Sequence, residues 1–115
     1  MSEHNLWKWL RGYVPRGHYT RVENADAGPG TPDVNYRIDA AEGWIELKDA
    51  RHPTSTIPFP DEDVGLHRTQ RNWIRDHVKY GGLVWIAAQI GQAVLFIPGK
   101  YADSFNGAER HRLNF

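Results

Sequence analysis

The sequence predicts an α/β domain in which helices flank a mixed sheet. Three features lead to this fold class: short stretches of alternating apolar and polar residues, one long amphipathic helix, and an apolar stretch directly after that helix. The predicted order is helix, three strands, helix and two strands. A chain of 115 residues suits a single domain spanning residues 1–115, with a core from about residue 3 to residue 100 and a short C-terminal tail.

The first predicted elements are a helix and three strands. A helix is expected over residues 3–13, where apolar side chains recur at three- and four-residue spacing: Leu6, Trp9, Leu10 and Tyr13. Strands are expected over residues 18–23, 33–38 and 44–48, and the last two form a hairpin. Because side chains alternate along a strand, Glu46 and Lys48 share one face, and the aliphatic side chains of the same strand occupy the other.

A long proline-rich loop separates this hairpin from the second half of the chain. Loops as long as residues 49–63 are uncommon in small domains and are often functional. The main helix is predicted over residues 64–80, and the Gly-Gly pair after it ends it. Two apolar strands, over residues 83–88 and 93–97, complete the sheet.

Composition excludes several classes of protein. The 14 basic and 14 acidic residues cancel, which argues against a protein that coats nucleic acid by bulk charge. The absence of cysteine excludes disulfides, thiolate zinc sites and cysteine nucleophiles. No apolar stretch approaches the roughly 20 residues of a membrane span, and the first residues lack the form of a signal peptide. We therefore expect a cytoplasmic protein.

Two carboxylates and an amine stand at the ends of the predicted hairpin strands. Asp33 precedes one strand, and Glu46 and Lys48 lie on the other. Hard divalent cations such as Mg²⁺ and Mn²⁺ bind oxygen ligands, and they promote phosphodiester hydrolysis. Asp33, Glu46 and the backbone carbonyl of Leu47 are the candidate ligands, and the Lys48 ammonium would orient the attacking water or hold a phosphate oxygen.

These residues resemble the signature of the PD-(D/E)XK nuclease superfamily. Within it the chain is similar to the small VRR-NUC nucleases of phages and bacteria, which implies a bacterial host or a phage-infected cell. The matching motifs are the loop Gly30-Thr31-Pro32-Asp33, the strand Ile45-Glu46-Leu47-Lys48, Gln70 on the next helix, and the Gly81-Gly82 turn into an apolar strand. The resemblance implies a restriction-endonuclease-like core, and it covers about residues 3–100.

The resemblance also implies an activity and partners. Members are Mg²⁺- or Mn²⁺-dependent DNA endonucleases, and stand-alone members resemble dimeric Holliday-junction resolvases of DNA repair and recombination. It therefore implies a homodimer that cuts branched DNA, and a further acid that joins the metal site. Glu23 and Glu3 are the two candidates for this acid, and Glu23 is favoured because it directly precedes the Gly-Pro loop. The alternative function is a non-catalytic nucleic-acid-binding module that acts with a replication or repair partner.

Other side chains permit both a structural and a functional interpretation. Gln70 is either a buried amide satisfied by backbone groups or a side chain that reaches the attacking water or Lys48. His52 and His67, which flank the long loop, and Arg51 are candidate contacts to DNA phosphate. A stripe of cations on the main helix faces away from Gln70 and is more typical of a solvated helix face than of a DNA track: Arg68, Arg71, Arg75 and Lys79.

Overall fold

A computed structural model of the chain describes residues 3–22 and 28–113, without the side chains of residues 3 and 4. Its helices are α1 (Glu3–Leu10), α2 (Arg68–Lys79) and α3 (Ala102–Phe105), with short 3₁₀ turns at Gly99–Tyr101 and Arg110–Arg112. Its strands are β1 (His18–Arg21), β2 (Val34–Ile38), β3 (Ala41–Asp49), β4 (Leu83–Ile90) and β5 (Ala93–Pro98). None of the helices in these ranges is long and apolar enough to cross a membrane.

The five strands form one mixed sheet in the order β1-β2-β3-β4-β5. Strands β3 and β4 are parallel, and the other neighbours are antiparallel. Parallel neighbours cannot be joined by a tight turn, so α2 makes the crossover between β3 and β4. This arrangement confirms the predicted fold class of a mixed sheet flanked by helices.

The two faces of the sheet carry separate apolar clusters. On one face α1 packs against the first four strands, with Leu6, Trp7, Val34, Ile45 and Leu47 among the buried side chains. On the other face α2 and the C-terminal segment cover β4 and β5, with Phe59, Ile74, Ile86, Ile97 and Phe105 among them. Strand β3 lies in the middle of the sheet, so each of its faces meets one of the two layers.

The first helix buries a different stripe from the predicted one. Trp7 is buried together with Leu6 and Leu10, whereas Trp9 and Tyr13 are 40% and 71% exposed. The helix ends at Leu10, so Tyr13 does not belong to it. The rings of Trp9 and Tyr13 instead contact each other at a centroid distance of 4.7 Å.

The second helix starts four residues later than predicted, at Arg68 instead of Val64. The side chain of Asn106 explains the delay, because its Oδ1 accepts from Leu66 N and its Nδ2 donates to Leu66 O, both at 2.8 Å. These bonds occupy both backbone polar groups of Leu66 and keep the residue outside the helix. The β2–β3 turn is also tighter than predicted and consists of Asp39 and Ala40 alone.

The residues after 100 contribute large side chains to the core. Phe105 is fully buried and its ring lies 4.7 Å from that of Phe59, and Leu113 is 1% exposed. Arg75 of α2 holds Asp103 of α3 through two bonds, Nη2 to Oδ1 at 2.9 Å and Nε to Oδ2 at 3.1 Å. The C-terminal segment is therefore attached to α2 and to the loop after β3.

Truncating the buried phenylalanine should destabilise the whole domain. We expect Phe105→Ala to lower the free energy of unfolding by about 3–5 kcal/mol, because it removes a fully buried ring and leaves a cavity. Phe96→Ala is the matched control, since Phe96 is 43% exposed and should cost less. Urea denaturation of both variants measures this difference, and equal losses would contradict the packing of the C-terminal segment.

The Arg75–Asp103 pair should make stability depend on pH in the acid range. The hydrogen bond from Arg75 lowers the pKa of the Asp103 carboxyl below its usual value. A lowered folded pKa means that the pair stabilises the fold above the unfolded value of about 3.9, and that this contribution disappears as pH falls through the folded pKa. We expect Asp103→Asn to have a lower Tm than the wild type at pH 7 and the same Tm near pH 2. Melting curves that stay apart by the same amount over this range would contradict the assignment.

Candidate active site

Two charged side chains of β3 point into the interior on the side of α2. Glu46 is 1% exposed and Lys48 is 5% exposed, although both carry ionisable groups. They alternate with Ile45 and Leu47, which belong to the cluster on the α1 side. Burying charged groups is costly unless they are paired, so such positions are unusual in a structural core.

Asp33 lies next to this pair at the end of the neighbouring strand. The β2–β3 ladder ends where Val34 pairs with Ile45, and Asp33 is the next residue before β2. Residues that face each other in an antiparallel pair project to the same side, with Cβ atoms roughly 4.5–5.5 Å apart. Continued by one residue, this register would bring Asp33 opposite Glu46, so a shared side for Asp33, Glu46 and Lys48 stays a prediction.

A hydrogen bond holds the Asp33 carboxylate against β3. Its Oδ2 accepts from the backbone N–H of Leu47 at 2.8 Å. The β2 ladder stops at Val34, so this carboxylate supplies the next acceptor along the edge of β3. The N–H and C=O of one strand residue point to the same neighbour, so the Leu47 carbonyl lies on the Asp33 side as well. This is the carbonyl proposed as a metal ligand from the sequence.

The loop before Asp33 packs tightly against the start of α2. Gly30 has a positive φ of 82°, and a Cβ at this position would collide with the backbone of Thr69 and Gln70. Only glycine allows both this conformation and this close approach. Val22 N also donates to Asp33 O at 2.7 Å, so the residue is held from β1, β3 and, through its loop, α2.

Gln70 uses its side-chain oxygen within its own helix. Gln70 Oε1 accepts from the backbone N–H of His67 at 2.8 Å and satisfies a donor in the opening turn of α2. The side chain of Gln70 thus makes a hydrogen bond to a backbone group, as its structural interpretation expects. Contact between its amide nitrogen and Lys48 or a water stays a prediction.

The candidate phosphate contacts lie at the surface around the loop after β3. His52 and His67 are exposed, and Arg51 Nη1 is 3.8 Å from Asp63 Oδ2 in an exposed pair. Two cations of the helical stripe are bound within the chain, because Arg71 contacts Leu66 O and Glu62 while Arg75 holds Asp103. Such pairing agrees with a structural role for the stripe.

The third acid lies outside what the structure describes. Glu23 falls between the two described ranges, and the side chain of Glu3 is not included. Among the described side chains no group of three His, Asp or Glu residues converges as a metal site would require. The described donors are two carboxylates and one carbonyl. This set suits Mg²⁺, which usually takes one or two carboxylates together with waters and substrate phosphate.

An aromatic cluster adjoins the carboxylates. Trp44 lies on β3 two residues before Glu46, and its ring is 5.2 Å from that of Trp73 on α2. His77 stacks on Trp73 at 4.6 Å, and the Cβ that Gly82 lacks would collide with its imidazole. Strand alternation predicts the direction of Trp44, but its edge-to-face contact with Trp73 depends on how α2 sits over β3.

Comparison with known proteins agrees on the fold. No protein-family model matches this sequence, and no curated protein sequence matches it. The structure is similar to that of Hjc, a Holliday junction resolvase from the archaeal hyperthermophile Archaeoglobus fulgidus, with a TM-score of 0.54 and 17% sequence identity. The match covers 97% of this chain and 91% of the Hjc chain. At this identity the similarity concerns the fold, and the chain has the restriction-endonuclease-like α/β fold that its sequence predicts.

Proposed function

We propose that this chain is a metal-dependent DNA endonuclease of the VRR-NUC type. One observation carries the proposal: the Asp33 carboxylate accepts from the backbone N–H of Leu47, the residue that lies between the buried Glu46 and Lys48 on β3. The restriction-endonuclease-like fold and its similarity to a Holliday junction resolvase support a DNA substrate, and branched DNA in particular.

The metal ligands in this proposal are oxygen atoms from both strands. Asp33, Glu46 and the Leu47 carbonyl would hold Mg²⁺ or Mn²⁺, and Glu23, or alternatively Glu3, would complete the set. When bound, such an ion supplies Lewis acidity and stabilises negative charge on the phosphate oxygens. The bond from Leu47 N leaves the other carboxylate oxygen of Asp33 available, and it fixes the direction in which that oxygen points.

Lys48 acts on the attacking water in this proposal. Its side chain is nearly excluded from solvent, so its interaction with a phosphate oxygen or with the water is weakly screened. An ammonium held in place before the substrate arrives stabilises developing charge without reorganisation. Gln70 supports the site from the first turn of α2, which the Gly30 loop contacts.

A homodimer follows from the number of sites per chain. Each chain carries one set of Asp33, Glu46 and Lys48, and cleavage of both strands of a junction needs two sets. Two copies bound to one branched DNA would provide them. This part of the proposal concerns the active assembly and is independent of the ligand geometry within one chain.

Replacing the lysine should remove cleavage without unfolding the protein. We expect Lys48→Ala to cut a four-way junction, a flap and a linear duplex at least roughly 100-fold more slowly than the wild type, since positioned proton-transfer groups contribute that much or more. Lys8→Ala is the matched control, because Lys8 is exposed on α1. Gel assays in Mg²⁺ or Mn²⁺ measure the rates, and circular dichroism checks the fold.

Two results would refute the proposed activity. The first is a wild-type protein that cuts none of the three substrates with either metal. The second is a folded Lys48→Ala variant that cuts as fast as the Lys8→Ala control. A preference for the junction over the duplex would support the branched-DNA substrate, and equal rates would restrict the proposal to a general endonuclease.

Metal binding should depend on the facing carboxylates. In calorimetric titrations with Mn²⁺ we expect Asp33→Asn to weaken binding by at least about tenfold, since even outer partners of metal ligands are worth that much. Asp76→Asn, which removes an exposed carboxylate from α2, should bind Mn²⁺ like the wild type. If the wild type binds DNA but no metal, the non-catalytic binding module becomes the better assignment.

A further inference from the structure

A cavity of about 580 Å³ lies between the loop after β3 and the C-terminal segment. Its polar lining comes from Thr54 and Thr56 of the loop and from Arg110 and His111 of the C-terminal segment. Ala93 and Leu95 form part of an aliphatic floor. Hydroxyls and a cation beside an aliphatic surface match the chemistry of a sugar attached to a phosphate.

Arg110 is held in place before any ligand binds. Its backbone N–H donates to Thr56 O at 2.8 Å, and its guanidinium Nη1 donates to Pro53 O at 3.2 Å. A guanidinium has five N–H donors, and within residues 3–22 and 28–113 no other acceptor engages this one. Arg110 therefore presents unused donors in a fixed orientation, which is what bidentate recognition of phosphate requires.

Arg110 is the main cation of this cavity. His111 Nδ1 lies 3.4 Å from Glu109 Oε2, so its charge when protonated is balanced by that carboxylate. The hydroxyls of Thr54 and Thr56 make no hydrogen bond to the described part of the chain and remain available as donors. An anion that entered here would meet one guanidinium and two hydroxyl groups.

The floor of the cavity lies on the same face of the sheet as the candidate active site. Lys48 pairs with Ala88 on β4, and Ala88 pairs with Leu95 on β5. Neighbouring strands are about 4.8 Å apart, so the backbone of Leu95 lies about 10 Å from that of Lys48. This separation is short enough for one strand of DNA to contact both the cavity and the candidate active site.

We infer that this cavity binds a backbone phosphate of the DNA strand that is cut, near the scissile bond. Arg110 pairs with the phosphate, Thr54 and Thr56 donate to its oxygens, and the sugar lies over Ala93 and Leu95. The inference rests on the proposed function, because it assigns a second contact to the same DNA. It also gives the C-terminal segment a role in binding.

The salt dependence of DNA binding tests this contact. Each neutralised phosphate contributes about 0.9 to the slope of log K against log salt concentration for duplex DNA. We expect Arg110→Ala to reduce that slope by about 1 and Arg110→Lys to retain most of it, because lysine keeps the charge. Fluorescence anisotropy of a labelled four-way junction and a labelled duplex, in EDTA and over a series of KCl concentrations, measures the slopes.

Arg16→Ala is the matched control for loss of one exposed positive charge. Arg16 lies between α1 and β1, away from the cavity, and its removal should leave the slope unchanged. Arg110 also contacts Pro53 O, so a second variant avoids the risk of loosening the C-terminal segment. Thr54→Asp introduces a carboxylate at an exposed position that lines the cavity. This variant should bind the junction several-fold more weakly, because the carboxylate repels phosphate.

The outcomes separate this inference from the proposed activity. Equal slopes for wild type, Arg110→Ala and Arg16→Ala, or unchanged binding by Thr54→Asp, would overturn the inference even if the wild type cuts DNA. A reduced slope for Arg110→Ala in a protein that cuts no DNA would support the phosphate site and refute the nuclease. A wild type that binds neither DNA would overturn the inference, and the cleavage assays in Mg²⁺ or Mn²⁺ would decide the nuclease separately.

Discussion

The hydrogen bond from the Leu47 amide to Asp33 Oδ2 connects the fold to the candidate chemistry. It forms one step beyond the last paired residues of β2 and β3, where the ladder no longer satisfies the backbone of β3. Without an acceptor there, a partly buried N–H would lose its hydrogen bond on folding, which is costly. The Asp33 carboxylate satisfies it and is thereby held against the strand that carries Glu46 and Lys48. The hydrogen bonding of the backbone and the orientation of this candidate ligand thus depend on the same atom.

The burial of Glu46 and Lys48 is the feature that a purely structural account explains least well. Aliphatic residues at these two positions would extend the apolar cluster under α2 without any desolvation penalty. Buried opposite charges stabilise a protein only when geometry and further hydrogen bonds compensate for lost hydration. In the proposed site, the same desolvation would strengthen the attraction of Lys48 for a phosphate oxygen and of Glu46 for a metal ion. A cost to the free protein would then become an advantage once metal and substrate bind.

The segment from residue 50 to the start of α2 connects the candidate active site with the cavity near Arg110. It leaves β3 directly after the buried Lys48 and carries Thr54 and Thr56 to the cavity near Arg110. Its later part is held by Asn106, which binds both backbone groups of Leu66, and by Phe105 against Phe59. The C-terminal segment thus stabilises the loop that borders both sites, which explains why large apolar side chains occur in a stretch that otherwise looks polar.

Local patterns in the sequence determined the element order, the fold class and the shared face of Glu46 and Lys48, because strand alternation and helical periodicity depend only on residues close in the chain. They also indicated Asp33, although only the tertiary structure decided its hydrogen bond to the backbone of Leu47. The tertiary structure alone decided the late start of α2, the burial of Trp7 in place of Trp9, and the meeting of Arg110 with Thr56. Each of these depends on contacts between segments far apart in sequence, such as Asn106 with Leu66, which no local pattern encodes.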